Sequence, residues 1–237
     1  MQRRKRALKK AFSVMAFATL AACGDGGGDP FLPSVPSFDD AYEVGKIILI
    51  LLTGSGSWTV SGIGSDGAFY EITIAFEPDS DAFFPFTGLP GARSNKTVTL
   101  RRNGMLVATL TESTYYDRST LVVQGTSSTD GTCSVVTSAT APPASAKPGA
   151  GGALDTSTDY NGCIAGSATQ GSTTRTWSID TENITVFFCS NETTQDVAGT
   201  VTATESVCLQ AGRDGTLGSK ARVTRSVPGA FSLTARN

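Results

Sequence analysis

From Ser57 to the C-terminus the chain is cut into short runs in which apolar and polar residues alternate, and this alternation narrows the fold more than any other feature. In 69–77, Tyr70, Ile72, Ile74 and Phe76 share one face, while Glu71, Thr73 and Glu77 share the other. Successive side chains of an extended chain point to opposite faces, so a period of two marks a strand with one buried side. Ser65-Asp66-Gly67 turns the chain into this run from Trp58-Thr59-Val60. In 97–101, Val98 and Leu100 alternate with Thr and Arg, and Asn103-Gly104 follows. Asn-Gly is the pair that a two-residue type I′ hairpin favours. The return run has Leu106, Ala108 and Leu110 on one face. Further strands are expected at 120–124, 132–137, 163–168, 174–179, 184–188, 197–204, 221–227 and 231–236. Many short strands with turns between them predict a mainly β fold, an antiparallel β-sandwich or barrel.

Ahead of the strands, Ser37-Phe38-Asp39-Asp40 reads as a helix start, with Ser at the N-cap and acidic groups in the first turn. Phe38, Tyr42, Ile48, Leu49 and Leu52 recur at helical spacing, so a short N-terminal helix over 38–52 is expected, stopped by Gly54-Ser55-Gly56. The competing reading is a buried strand at 47–52, where the β-branched residues also suit a sheet. One Pro/Gly-rich stretch, 141–152, interrupts the β pattern. It could divide the region 37–237 into two domains or form a long loop within one.

The N-terminus carries six basic residues in its first ten, Arg3, Arg4, Lys5, Arg6, Lys9 and Lys10. An uncharged apolar run, 11–22, follows and is too short to span a bilayer. A basic segment followed by a short apolar one has the form of a secretory signal, here residues 1–22. The run ends in Leu20-Ala21-Ala22-Cys23, which resembles the lipobox of bacterial lipoproteins. That resemblance implies cleavage before Cys23 and lipid attachment at its thiol. Two or more acyl chains hold a protein firmly to a membrane. Residues 23–36, with Gly24-Asp25-Gly26-Gly27-Gly28 and Pro30, Pro33 and Pro36, read as a flexible tether. Gly24 stands where an Asp would resemble an inner-membrane retention signal. The resemblance therefore implies the outer membrane, reached through the Cys23 lipid.

Loss of the leader leaves 13 Lys and Arg against 21 Asp and Glu, a net charge of −8. Nucleic-acid binding depends on cationic contacts with phosphate, so this balance argues against it. The four cysteines that remain are Cys133, Cys163, Cys189 and Cys208. An even number in an oxidising compartment points to two disulfides. Of the three pairings, Cys133–Cys163 with Cys189–Cys208 is preferred because both bonds are local. A zinc site is disfavoured, because the cysteines lie at least 18 residues apart with no CxxC and no His. The exported domain as a whole resembles the four-cysteine β-rich domains of proteobacterial lipoproteins, a likeness that carries no functional residue across.

The chain contains no His, which excludes Ser-His-Asp and Cys-His catalysis and HExxH metal sites. No P-loop, dinucleotide fingerprint or G-x-S-x-G is present, so no catalytic residue, metal or cofactor is assigned. Glu77, Asp79 and Asp81 lie close together at a strand end and are the carboxylates that a glycan-acting enzyme could use. Phe83, Phe84, Phe86 and Leu89 crowd a Pro/Gly-rich loop: exposed, they would form a surface for a ligand or partner; buried, they would cap the barrel or pack on the helix. Tyr115-Tyr116-Asp117 poses the same choice. The leading expectation is a non-catalytic binding or structural module with a protein or glycan partner. The alternatives are an inhibitor of an exogenous lysozyme or protease, and a carboxylate-dependent enzyme. The anchor is tested directly: Cys23→Ser should abolish incorporation of labelled fatty acid and release the protein from the membrane fraction. A wild-type chain that takes up no label would overturn the lipid anchor.

Overall fold

The computed structural model describes residues 40–237, the side chain of Asp79 excepted. The leader 1–22, Cys23, the tether 23–36 and the expected helix start at Ser37 lie outside the described residues. One helix, α1 (Val44–Thr53), precedes twelve strands: β1 (Gly56–Ile63), β2 (Phe69–Phe83), β3 (Pro90–Arg102), β4 (Met105–Tyr116), β5 (Val123–Ser128), β6 (Cys133–Ala139), β7 (Gly151–Tyr160), β8 (Thr169–Glu182), β9 (Thr185–Asp196), β10 (Val201–Ala211), β11 (Leu217–Val227) and β12 (Phe231–Arg236). Each strand pairs antiparallel with its neighbours in sequence, and β1 pairs with β12, closing a barrel. Of the two expected architectures, the molecule has the barrel.

Several expected elements shift. The stretch 163–168, expected as a strand, is the loop between β7 and β8, with Ser167 N–H donating to the Ile164 carbonyl. β5 begins at Val123 rather than 120, because Asp117 folds 117–122 into a tight turn, and β10 begins at Val201 because 197–200 is a turn closed on Asp196. β7 emerges from the stretch taken as a Pro/Gly-rich interruption, and 141–150 joins it to β6 within the one barrel. The Asn103-Gly104 turn is as expected, with positive φ at both residues, +50° and +81°.

The helix starts at Val44, residues 40–43 before it are not helical, and Tyr42, expected within the helix, instead exchanges backbone hydrogen bonds with Ala146. The apolar run 47–52 is helical because closure of the barrel leaves no strand edge for it to join. A helix satisfies its own backbone polar groups. Backbone bonds from Glu43 to Arg213 and from Gly45 to Ala144 strap it to the loops at the barrel end where β1 begins. Val44 and Ile47 pack on Trp177, Ile179, Val186 and Phe188, and Leu52 packs on Ala92 and Tyr116.

Inside and outside differ sharply. Trp58, Val60, Ile72, Ile74, Leu209, Val223 and Leu233 turn inward and form the main core. The outward positions between them are polar: Ser57, Thr59 and Ser61 on β1, Ser172, Thr174, Thr176 and Ser178 on β8, Ser232 and Thr234 on β12. A barrel that crosses a membrane carries the reverse pattern, with an outward apolar band.

Both disulfides, Cys133–Cys163 and Cys189–Cys208, are formed on the outer wall. There too lies the tip of the β2–β3 hairpin, which folds back over β4, β5 and β6. Phe84 is fully buried against Tyr115 and Cys133. A Cβ on Gly125 would lie 2.3 Å from the Phe84 ring, so glycine there makes room for it. Phe86 stacks between Phe84 and Tyr160, while Phe83 and Leu89 stay 70% and 50% exposed. Phe84→Ala should therefore cost about 3 kcal/mol of unfolding free energy in urea melts, and Phe83→Ala less than about 0.5 kcal/mol. Equal effects would contradict this packing.

Candidate functional site

Beneath α1 the barrel is not filled. A cavity of about 190 Å³ lies between the helix and the middle of the lumen. Its roof is apolar, built from Ile48, Leu51 and Leu52 of the helix with Phe76, Phe188 and Leu209 of the wall. Its floor is charged, with Lys96, Glu112, Asp155, Arg175, Glu192 and Glu205. Between the two, the hydroxyls of Ser94, Thr114 and Ser190 line the wall. The mouth lies at the helix end of the barrel, between the β4–β5 and β6–β7 loops, at Thr120–Val123 and Ala139–Pro142.

Strand register places the floor. Asp155, Arg175, Glu192, Glu205 and Arg225 stand directly opposite one another on β7 to β11, forming one row across five strands. On the other side of the lumen, Lys96 of β3 stands opposite Glu112 of β4. Glu192 accepts from Arg175 Nε at 2.7 Å, and Asp155 accepts from the same guanidinium at 3.3 Å. Lys96 pairs with Glu112 at 3.4 Å, and Arg225 with Glu205 at 2.8 Å. Directly opposed cations and anions attract, whereas Glu192 and Glu205 are like charges side by side, tolerable because each has its own arginine.

Protonation follows from these pairings. Glu112, helped by Glu192 and Glu205, holds the Lys96 ammonium above its ordinary range despite burial. Burial acts to lower Arg175, but Glu192, Glu112 and Asp155 outweigh it and leave it raised. For Glu192, burial pushes the carboxyl up, yet Arg175, Lys96 and Arg225 prevail and hold it at about 2. Asp155 goes the other way: burial raises it, and Arg175 offsets this only in part. The distances explain the contrast, since the guanidinium binds Glu192 more closely than Asp155.

The mouth is held by Asp117. Its Oδ1 accepts from the backbone N–H and hydroxyl groups of both Ser119 and Thr120. These donors, the Ser119 hydroxyl foremost, bring the Asp117 carboxyl down to about 2. The turn carries Leu121 in the left-handed region, φ +57°, a strained backbone for a branched residue. Leu121 thereby reaches the cavity mouth and packs beside Leu52 and Tyr116. Tyr116 points inward and donates to the Leu52 carbonyl at 3.2 Å, tying helix to wall.

The side chains singled out from sequence lie elsewhere. Phe83, Phe84, Phe86 and Leu89 belong to the outer-wall loop and none lines the cavity. Glu77 and Asp81 are exposed on β2, and Asp81 pairs with Arg118 at 2.7 Å. Asp180 lies beside Cys189 and Cys208 within ligand distance, but both sulfurs are bonded in the disulfide. Sequence reasoning missed the floor. Its trace was there: Arg175 falls in phase with Trp177 and Ile179, Glu205 with Val207 and Leu209, and Lys96 with Val98 and Leu100. A charge on the apolar face of a strand marks a polar interior.

The sequence matches no protein-family description, no curated protein and no solved structure.

The row of charges can be taken apart. Arg175→Met would strand two buried carboxylates and should cost about 3–5 kcal/mol. Asp155→Asn removes a charge that burial already disfavours and should leave stability at pH 7 equal or higher, by urea melts. Glu192 titrates at about 2 folded against 4.5 ordinarily, so its stabilisation is full above pH 4.5 and fades as pH falls toward 2. Asp155, being raised, contributes with the opposite sign.

Proposed function

We propose that the chain is a lipid-anchored protein of the bacterial outer membrane, held there by Cys23, whose barrel binds a small molecule in the cavity beneath α1. It is a non-catalytic binding module. The observation that carries this reading is the cavity itself: an apolar roof over a polar floor, with a braced mouth at one end of a closed barrel. Small-molecule sites have this build, mostly apolar walls with a few placed polar groups. The polar outer wall supports the anchoring half of the proposal, because a barrel faced with Ser and Thr has no affinity for lipid and needs the Cys23 lipid to stay at a membrane.

The reading as an inhibitor of an exogenous lysozyme or protease keeps one observation in its favour. Phe83 and Leu89 stand exposed on a loop that the buried Phe84 braces from below. Such a loop could be offered to a protein partner independently of the cavity.

The cavity reading is tested with indole, a neutral ring of suitable size, added to the mature chain. Chemical shifts should change for Leu51, Phe76 and Phe188 and not for Phe83 or Leu89, and Leu51→Trp, which fills the cavity, should abolish the change. Shifts confined to the outer loop, or no binding to a folded chain, would overturn it.

A further inference from the structure

The charges in the lumen do not balance. Two cations, Lys96 and Arg175, and four carboxylates, Glu112, Asp155, Glu192 and Glu205, line the cavity, and Arg225, 52% exposed and outside that lining, reaches Glu205. A further carboxylate, Asp159, points inward toward the opposite end, where Ser134 and Thr173 donate to it at 2.6 and 2.8 Å. Even with Arg225 counted, the surplus at the cavity floor is one negative charge. Isolated charge is costly where water is excluded, so a site of this kind favours an occupant that cancels it.

The surplus has an address. Arg175 spends its Nε on Glu192 and reaches Asp155 only at 3.3 Å with a terminal nitrogen. Glu112 has Lys96 and Glu205 has Arg225 as partner. Asp155 alone has no cation of its own and shares Arg175 with the closer Glu192, although its side chain is only 6% exposed. Beside the same space lies Ser94, 6% exposed, whose hydroxyl has no hydrogen-bond partner among the described residues and lines the cavity. Thr114, opposite Ser94 on β4, adds a second hydroxyl without a side-chain partner.

We infer that the cavity takes a small organic monocation, a primary amine carrying one ring or an equivalent apolar group, with the ammonium at Asp155 and the apolar part under α1. This rests on the cavity being a ligand site, as proposed above. An ammonium offers three donors and no acceptor, which suits a cavity lined by a carboxylate and hydroxyl oxygens. A ligand carboxylate would add an anion to an anionic floor whose cations are already engaged. The volume sets the size: a cavity of about 150 Å³ admits benzene, and this one measures about 190 Å³.

Three ligands of one shape separate the possibilities: 2-phenylethylammonium, 2-phenylethanol and phenylacetate, titrated calorimetrically into the mature chain at pH 7 and low salt. The ammonium should bind at least about tenfold more tightly than the alcohol, with phenylacetate weakest. Asp155→Asn should cut the advantage of the ammonium over the alcohol below about threefold. Equal binding of alcohol and ammonium, or tightest binding by phenylacetate, would overturn the cation preference and leave the cavity reading intact. Binding of none of the three, with indole also refused, would bring down both. Persistence of the full ammonium preference in Asp155→Asn would overturn the assignment of the floor.

Discussion

The number of strands governs everything inside this molecule. A barrel of about eight strands has a lumen that side chains alone can fill, and the interior widens as strands are added. Twelve strands closed through β1 and β12 therefore enclose more space than inward-facing residues can occupy. The chain meets that excess in three ways. At one end α1 is inserted as a lid, held by backbone bonds to two loops. Along the middle, charged side chains from seven strands meet in paired rows. What neither occupies remains as the cavity.

That arrangement also explains why the lumen is polar at its waist. Large apolar side chains fill the wall near β1, β2 and β10 to β12, where Trp58 and Tyr70 supply bulk. Across the wider section an all-apolar layer would have to bridge the lumen with short side chains and would leave voids. Lys, Arg and Glu are long enough to meet in the centre, and ion pairs satisfy them there. Buried pairs of this kind contribute little net stability compared with apolar packing of equal volume. What they do impose is register: a one-residue slip of any strand from β7 to β11 would throw its charge onto the outer wall and strand its partners inside.

How far this was legible in the sequence depends on which contacts make each feature. The strands of 69–77 and 231–236 show as clean alternation because one face meets the core and the other meets water. The Asn103-Gly104 turn shows because its backbone conformation restricts the residues that can adopt it. The local cysteine pairing was readable since each bond ties neighbouring strands or the loop beside them. Closure was not readable, for it rests on Ser61 meeting Arg236 across the whole chain. The fate of 47–52 hung on that closure, because Ile and Leu suit strand and helix alike and only the lack of a free edge decides between them. The floor of the cavity was hidden for a similar reason. Arg175 and Glu205 look like ordinary solvent-facing charges until their phase with Trp177 and Leu209 is noticed, and their convergence depends on long-range register.

The division of labour between the two faces of the wall follows from the same geometry. Both disulfides and the Phe84 anchor lie on the outside, where they bind strands β4 to β6 and β9 to β10 without entering the lumen. β5 and β6 are the shortest strands but for β12, and β4 extends past β5 by the run from Met105 to Leu110. The β5–β6 ladder is only three residue pairs long, and it is there that the β2–β3 hairpin folds over the outer face and Cys133 is tied to Cys163. The thin section is thus reinforced from outside. Stiffening the wall by filling the lumen at this point would have closed the space beside Ser94, Thr114 and Asp155. External bracing lets the barrel stay firm while its interior stays partly empty, which is the condition that the proposed ligand site requires.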